Sequence, residues 1–143
     1  GLLQTEEYAR ALLSVDPRLP AEVVEQRVRF RMERQRAQAD LAVIMGEGAL
    51  RLVAGSPTVL AEQIEYLGEV ADREVRVLPF SAGAYPNLGT FALLDFDDHE
   101  DPSVAYAEAP GAARYFDKPA GRADYEYVWQ ILMDKSVPIR EWQ

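Results

Sequence analysis

Residues 41–80, LAVIMGEGALRLVAGSPTVLAEQIEYLGEVADREVRVLPF, decide the fold. Leu41–Met45 is a short, wholly apolar run, the pattern of a strand buried on both faces. Ser56-Pro57 predicts a helix start, a capping hydroxyl followed by proline at the first helical position. Leu60, Ile64, Leu67 and Ala71 then fall on one helical stripe. Val75–Phe80 reads as a second strand. A helix between two strands predicts a right-handed parallel crossover. Gly46-Glu47-Gly48 interrupts the first strand, and Ala49–Val53 reads as a helical turn or a further strand.

Outward from this unit, Leu2, Leu3, Ala9, Leu12 and Leu13 predict a helix over residues 1–15, ended by Pro17 and Pro20. A second helix is expected from about Ala21 to Ala39, with Glu22 and Glu25 near its start and Arg34 and Arg36 near its end, as the helix dipole favours. Downstream, 81–88 is a loop. Gly89–Phe96, Ser103–Glu108 and Ala112–Phe116 are strands, separated by turns at 97–102 and 110–111. A last helix covers about 120–135, with Tyr125, Val128, Trp129 and Leu132 as its apolar face. Short loops between the second and fourth strands predict an antiparallel meander. The expectation is one α+β domain over 1–143, built as a mixed, mainly antiparallel sheet of about four or five strands with helices packed on it.

The 143 residues suffice for one core. Fifteen Lys and Arg against 24 Asp and Glu give a net charge of -9, which argues against general binding to a phosphate backbone. The absence of cysteine excludes disulfides, thiolate catalysis and Cys-ligated metals, and a single histidine excludes a multi-His metal site. No apolar run reaches the length of a membrane-spanning helix. No cofactor is expected. A chain that opens on Gly1 with helical periodicity at once reads as processed, or as the ordered part of a longer protein.

Four groups of side chains stand out. Arg27, Arg31 and Arg34 share a helix face at i, i+4 and i+7 and would grip an acidic partner, unless Glu22, Glu25 and Glu33 pair with them. Glu47, at a strand end between two glycines, is either a buried acid with a raised pKa or a hydrogen-bond acceptor paired with Arg51. Phe80, Tyr85, Phe91, Tyr106 and Tyr115 come from successive strands and their loop. They would line a small-molecule pocket if they converge, with Gly83 and Gly89 hinging the loop as a lid, or else fill an aromatic core. Asp95, Asp97, Asp98, His99, Glu100 and Asp101 have the look of a calcium loop. The glycine position holds Glu100 and no bidentate Glu follows, so a charged hairpin turn is expected there.

Several segments resemble, in order, one family. GLLQTEEYARALL (1–13) resembles its opening. VEQRVRFRMERQ (24–35) is similar to its "RV..R..RQ" helix, Glu47 with Ala49-Leu50-Arg51 to its strand-end "EaaLR", and GSPTVLAEQIEYL (55–67) to its "G....m..QL..L" helix. VRVLPFSAGAYPNLGTFALLDF (75–96) resembles "V.VLPF.aGahpg..g.F.lL.F", and VAYAE (104–108) resembles "vvYvE". The family is the C-terminal domain that follows an XRE-type helix-turn-helix in actinobacterial, antitoxin-like transcriptional regulators. The resemblance implies a cytoplasmic, non-enzymatic domain tied to development and antibiotic production, often encoded beside a small partner protein. It carries no catalytic residue set. Two departures stand out: the helix-turn-helix is missing from this chain, and the 83–89 loop is shorter than the pattern, with the tail VPIREWQ (137–143) matching none of these segments.

Two functions therefore compete. The first is a domain that binds a small protein partner or a small molecule, with a homodimer left open and DNA reached only through a helix-turn-helix absent from this chain. The second is a stand-alone pocket repurposed as an enzyme of secondary metabolism, for example a cyclase, whose reaction needs mainly shape and a few hydrogen bonds.

Overall fold

The computed structural model describes residues 2–36, 40–70, 73–96, 103–109 and 112–142. The chain forms two compact units, Gly1–Ser81 with Ser136–Gln143, and Ala82–Lys135. Both are built from helices and short strands, as the α+β expectation requires.

The first unit opens on a non-helical strap, residues 2–5, where a helix was expected. Thr5 is the reason that α1 begins only at Glu6: it holds extended backbone and its Oγ1 accepts the Tyr8 N–H at 3.2 Å. Helix α1 covers Glu6–Leu13 and α2 covers Ala21–Arg36. Ala9 and Leu13 of α1 meet Val24 and Val28 of α2 in a small apolar cluster. Residues 37–39, expected to continue α2, lie outside the described residues.

Strand β1 (Leu41–Gly46) runs directly into the single turn α3 (Glu47–Arg51), then Gly55 and the helix α4 (Pro57–Glu69). Gly55 is obligatory on two counts. Its φ of 72° is left-handed, and a Cβ there would stand 2.9 Å from the Ala11 Cβ. Ser56 caps α4 through its Oγ, which accepts the Val59 N–H at 3.3 Å, and Pro57 follows as expected. Strand β2 (Arg73–Leu78) pairs with β1 in parallel, Val43 opposite Val75 and Met45 opposite Val77. Leu3, Leu50, Leu67, Val75, Val77 and Ile139 form the core of this unit, and Val77 is fully buried.

The strands divide between two three-stranded sheets, where a single sheet was expected. The reason lies in β2, both of whose edges are taken. On one side stands β1. On the other stands β6 (Val137–Pro138), antiparallel, with Val77 opposite Val137. No edge is left for the next strand, so the meander expected from the second strand onward starts only at the third. The C-terminal tail therefore supplies a strand to the first sheet.

The second unit holds the antiparallel meander β3 (Phe91–Leu94), β4 (Val104–Ala109) and β5 (Ala112–Phe116), followed by α5 (Pro119–Lys135). One sheet face packs on α5. Phe91 and Phe116 each lie 5.2 Å from the Tyr125 ring, centroid to centroid. Ala105 is fully buried and Val128 nearly so. The turn at 97–102, with His99 and most of the acidic run, lies outside the described residues, as does 110–111.

Candidate functional site

Glu47 is the first residue of α3 and is buried, 9% exposed. Its Oε2 accepts the Phe80 N–H at 2.7 Å, and its Oε1 takes the Arg51 guanidinium at 3.0 Å from one nitrogen and 3.1 Å from Nε. Arg51 lies over the Trp142 ring at 4.8 Å. One carboxylate thus joins the end of β1, the end of β2 and the C-terminal tail. Of the two readings of Glu47, pairing with Arg51 is the observed one. The Phe80 N–H, then Arg51 and Trp142, outweigh desolvation and hold its pKa below the ordinary value, so the raised pKa is corrected. Glu47 stays ionised at neutral pH and has no proton to offer a reaction.

The four rings of the second unit do not converge as a set. Phe80 belongs to the first unit, where its ring rests against Gly48 and remains 71% exposed. The other four belong to the second. Phe91 stands opposite Ala107, and Ala92 opposite Tyr106, so Phe91 and Tyr106 point to opposite faces of the sheet. The shared space expected for them is corrected by that register. Phe91 faces α5. Tyr106 and its cross-strand partner Tyr115 stack at 5.1 Å on the other face, with Tyr115 largely exposed. Tyr85 lies in the loop, partly exposed, between Gly83 and Gly89, both with left-handed φ.

The arginine strip is on the surface, with its members differently engaged. Arg31 donates to the Gln4 Oε1 at 3.0 Å, Arg34 lies 5.8 Å from the Phe30 ring centroid, and Arg27 adds its charge to the field at Asp16. Of the three acids expected to neutralise the strip, Glu25 is used elsewhere. Glu25 takes Arg10 of α1 at 2.6 Å, and the same guanidinium holds Glu6 and Glu7. Arg10 holds the Glu25 carboxyl below its usual range, and Arg18 does the same to Asp16.

Two glutamines escape a reading based on charge and rings. Gln35, 8% exposed, accepts the Gln4 N–H and donates to the Gln4 carbonyl at 2.9 Å. Gln63, 2% exposed, accepts the Thr5 N–H at 2.7 Å and donates to the Leu3 carbonyl at 2.9 Å. In an extended segment alternate residues turn their N–H and C=O to opposite edges. Each glutamine therefore stands in for a neighbouring strand, one on each edge of the strap. A signal was available: both are polar residues on otherwise apolar helix stripes, Val24, Val28 and Gln35 in α2 and Leu60, Gln63 and Leu67 in α4. Beside the strap opens a cleft of about 320 Å³. Gln4, Thr5 and Glu6 form one side, Met32, Gln35 and Arg36 of α2 another, and Tyr66 of α4 completes it.

Among the described residues no group of three His, Cys, Asp or Glu side chains is placed to hold a metal ion. Among the same residues no helix is long and apolar enough to cross a membrane. No curated protein and no solved structure matches the chain. Glu47, Arg51, Gln35, Gln63 and Phe80, the residues that tie the first unit together, all fall inside segments that carry the sequence resemblance. A family model spans residues 1–141, and the chain belongs to the family it describes, the domain of unknown function DUF5753.

Proposed function

We propose that this chain is the non-enzymatic binding domain of a transcriptional regulator, docking a small protein partner and leaving DNA contact to an XRE-type helix-turn-helix in an actinobacterial parent protein. The observation that carries the reading is Phe80. Its backbone N–H is held by a buried carboxylate, while the residue is 71% exposed. An exposed aromatic ring on a fixed backbone leaves only its own two torsions to be ordered when it is covered, the property of an interface anchor. Leu52, one turn beyond the glycine on which that ring rests, is 68% exposed, and Val53 beside it 52%. The acids support the same reading. Those whose titration is displaced, Asp16, Glu25 and Glu47, are lowered by arginines or a backbone N–H, which is how carboxylates serve architecture. The regulator context, the cytoplasmic location and the small partner come from the resemblance.

The test starts at the gene. The reading expects a helix-turn-helix coding segment upstream and a small open reading frame alongside. The encoded small protein is then titrated into the intact regulator by calorimetry. Binding is expected, with a loss of about tenfold or more in the Phe80→Ser variant, as for an anchor worth at least ~1.4 kcal/mol. Equal affinity in a folded Phe80→Ser variant would remove Phe80 from the interface. No binding by the wild type would sink the partner reading.

A further inference from the structure

In the cleft beside the strap, unused polar groups meet an apolar wall. The Arg36 guanidinium has no hydrogen-bond or ion-pair partner among the described residues, and neither has the Tyr66 hydroxyl. Thr5 uses its Oγ1 as an acceptor for the Tyr8 N–H, which leaves its hydroxyl proton to donate. The three free groups are thus all able to donate, and one of them is a cation. The Met32 thioether and the face of the Tyr66 ring supply an apolar, polarisable wall. The opposite wall is rigid, because the strap backbone at Leu3, Gln4 and Thr5 is held by the two glutamines on both edges. A wall fixed before binding costs a ligand little ordering entropy.

We infer that this cleft binds a small carboxylate with a compact apolar body, about the size of one ring. The guanidinium fork takes the carboxylate in a two-pronged pair, and the Thr5 and Tyr66 hydroxyls serve its remaining lone pairs. The apolar body lies against Met32 and Tyr66. The volume of about 320 Å³ sits at the lower end for ligand pockets and sets the size. A carboxylate is favoured over a phosphate by the charge count. Only one unpaired cation lines the cleft, and Glu6 stands on its rim with its charge shared with Arg10, so a second negative charge on the ligand would go unmatched. This site is independent of Phe80, so either proposal can fail without the other.

The probe is phenylacetate, titrated into the intact chain with amide chemical shifts as the readout. The neutral isostere 2-phenylethanol and inorganic phosphate run in parallel. Phenylacetate is expected to move the Thr5, Arg36 and Tyr66 amides and to saturate in the millimolar range, as a small fragment with one ion pair should. Arg36→Gln is expected to weaken it about tenfold or more. Arg36 is exposed, so this variant keeps the fold, which its unshifted core amides check. Tyr66→Phe should give a smaller loss. No shift by about 10 mM phenylacetate, equal shifts with 2-phenylethanol, or undiminished affinity in Arg36→Gln would each overturn the proposal. Phosphate binding more tightly than phenylacetate would overturn the assignment of the ligand class.

Discussion

The two units are held together by different chemistry. In the first, polar side chains reach across 31 to 72 positions of sequence to bind backbone groups: Gln35 at Gln4, Gln63 at Leu3 and Thr5, Glu47 at Phe80, Arg76 at Ser136, and Arg140 at Gly68. In the second, rings and small residues do most of the work, with Phe91, Phe116 and Tyr125 packed around Ala105 and Gly121, and a Lys135 bond to the Ala82 carbonyl. The difference lies in how errors are tolerated. A buried backbone group that loses its partner carries the full cost of desolvation, whereas a trimmed ring leaves a gap that neighbours partly fill. The first unit should therefore respond steeply to single polar changes and the second more gradually.

The steepest response is expected at Gln63. Replacing it by Leu keeps the approximate volume and strands both the Leu3 carbonyl and the Thr5 N–H. One buried group at about 1–3 kcal/mol and one part-buried group that costs less predict a loss of roughly 2–4 kcal/mol, read from urea unfolding. A loss below about 1 kcal/mol would mean that water replaces the amide and that the clamp is decorative. In the second unit Tyr125→Ala removes a half-buried ring that two others touch. A loss of about 2 kcal/mol is expected, below the ~3–5 of a fully buried ring. Should Tyr125→Ala prove the more damaging of the two, the contrast between the units fails.

A third prediction concerns pH. Glu47 has its pKa lowered on folding from an ordinary 4.5, so it binds protons more weakly folded than unfolded. Its contribution is complete above the unfolded value and is lost as the pH falls through the lower, folded one. Glu25 and Asp16 act in the same direction. Stability should thus decline on acidification from about pH 5 downward. Glu47→Gln keeps an acceptor for the Phe80 N–H but has no charge to lose. The acid limb of its melting temperature should be shallower than that of the wild type. An unchanged limb would show that the Glu47 charge adds nothing to the joint.

Where the sequence was legible and where it was not follows from the same contrast. The capped helix α4 and the apolar runs on either side carry local signals, and the parallel pairing of β1 with β2 follows from them. The strap carried the wrong local signal. Leu2 and Leu3 fit a helical period, but the partners that keep this backbone extended sit on two helices far along the chain. The split into two sheets turned on Val137–Pro138, too short to read as a strand. Pro138 is tolerated there because β6 lies at the sheet edge, where a missing N–H costs little. The placing of the rings failed for a different reason. Strand alternation was read correctly within β3, but whether Phe91 shares a face with Tyr106 depends on register, and a one-residue shift exchanges the faces.

The smallest effect is expected from the arginine strip, and it is informative because the strip lies in the sensitive unit. If every polar group there were part of the stitching, replacing Arg27, Arg31 and Arg34 together by Gln would unfold the protein. The geometry says otherwise. Arg27 and Arg34 are exposed, and Arg34 reaches only the Phe30 ring, itself 59% exposed. Arg31 donates to a side-chain amide, a bond that Gln at the same place can offer in part. Glu25, the acid that might have been left unpaired, is already held by Arg10. Exposed charge contacts are worth about 0–1 kcal/mol each, and much less in salt. The triple variant should therefore lose no more than about 1 kcal/mol in total. It should also make the chain more acidic, moving the net charge from -9 to -12 as three cations are removed. An acidic partner would then be bound more weakly and with a flatter salt dependence, while the urea midpoint stays nearly still. A large fall in that midpoint would show that the strip belongs with Gln35 and Gln63 among the stitches, and that burial is not what separates the two classes.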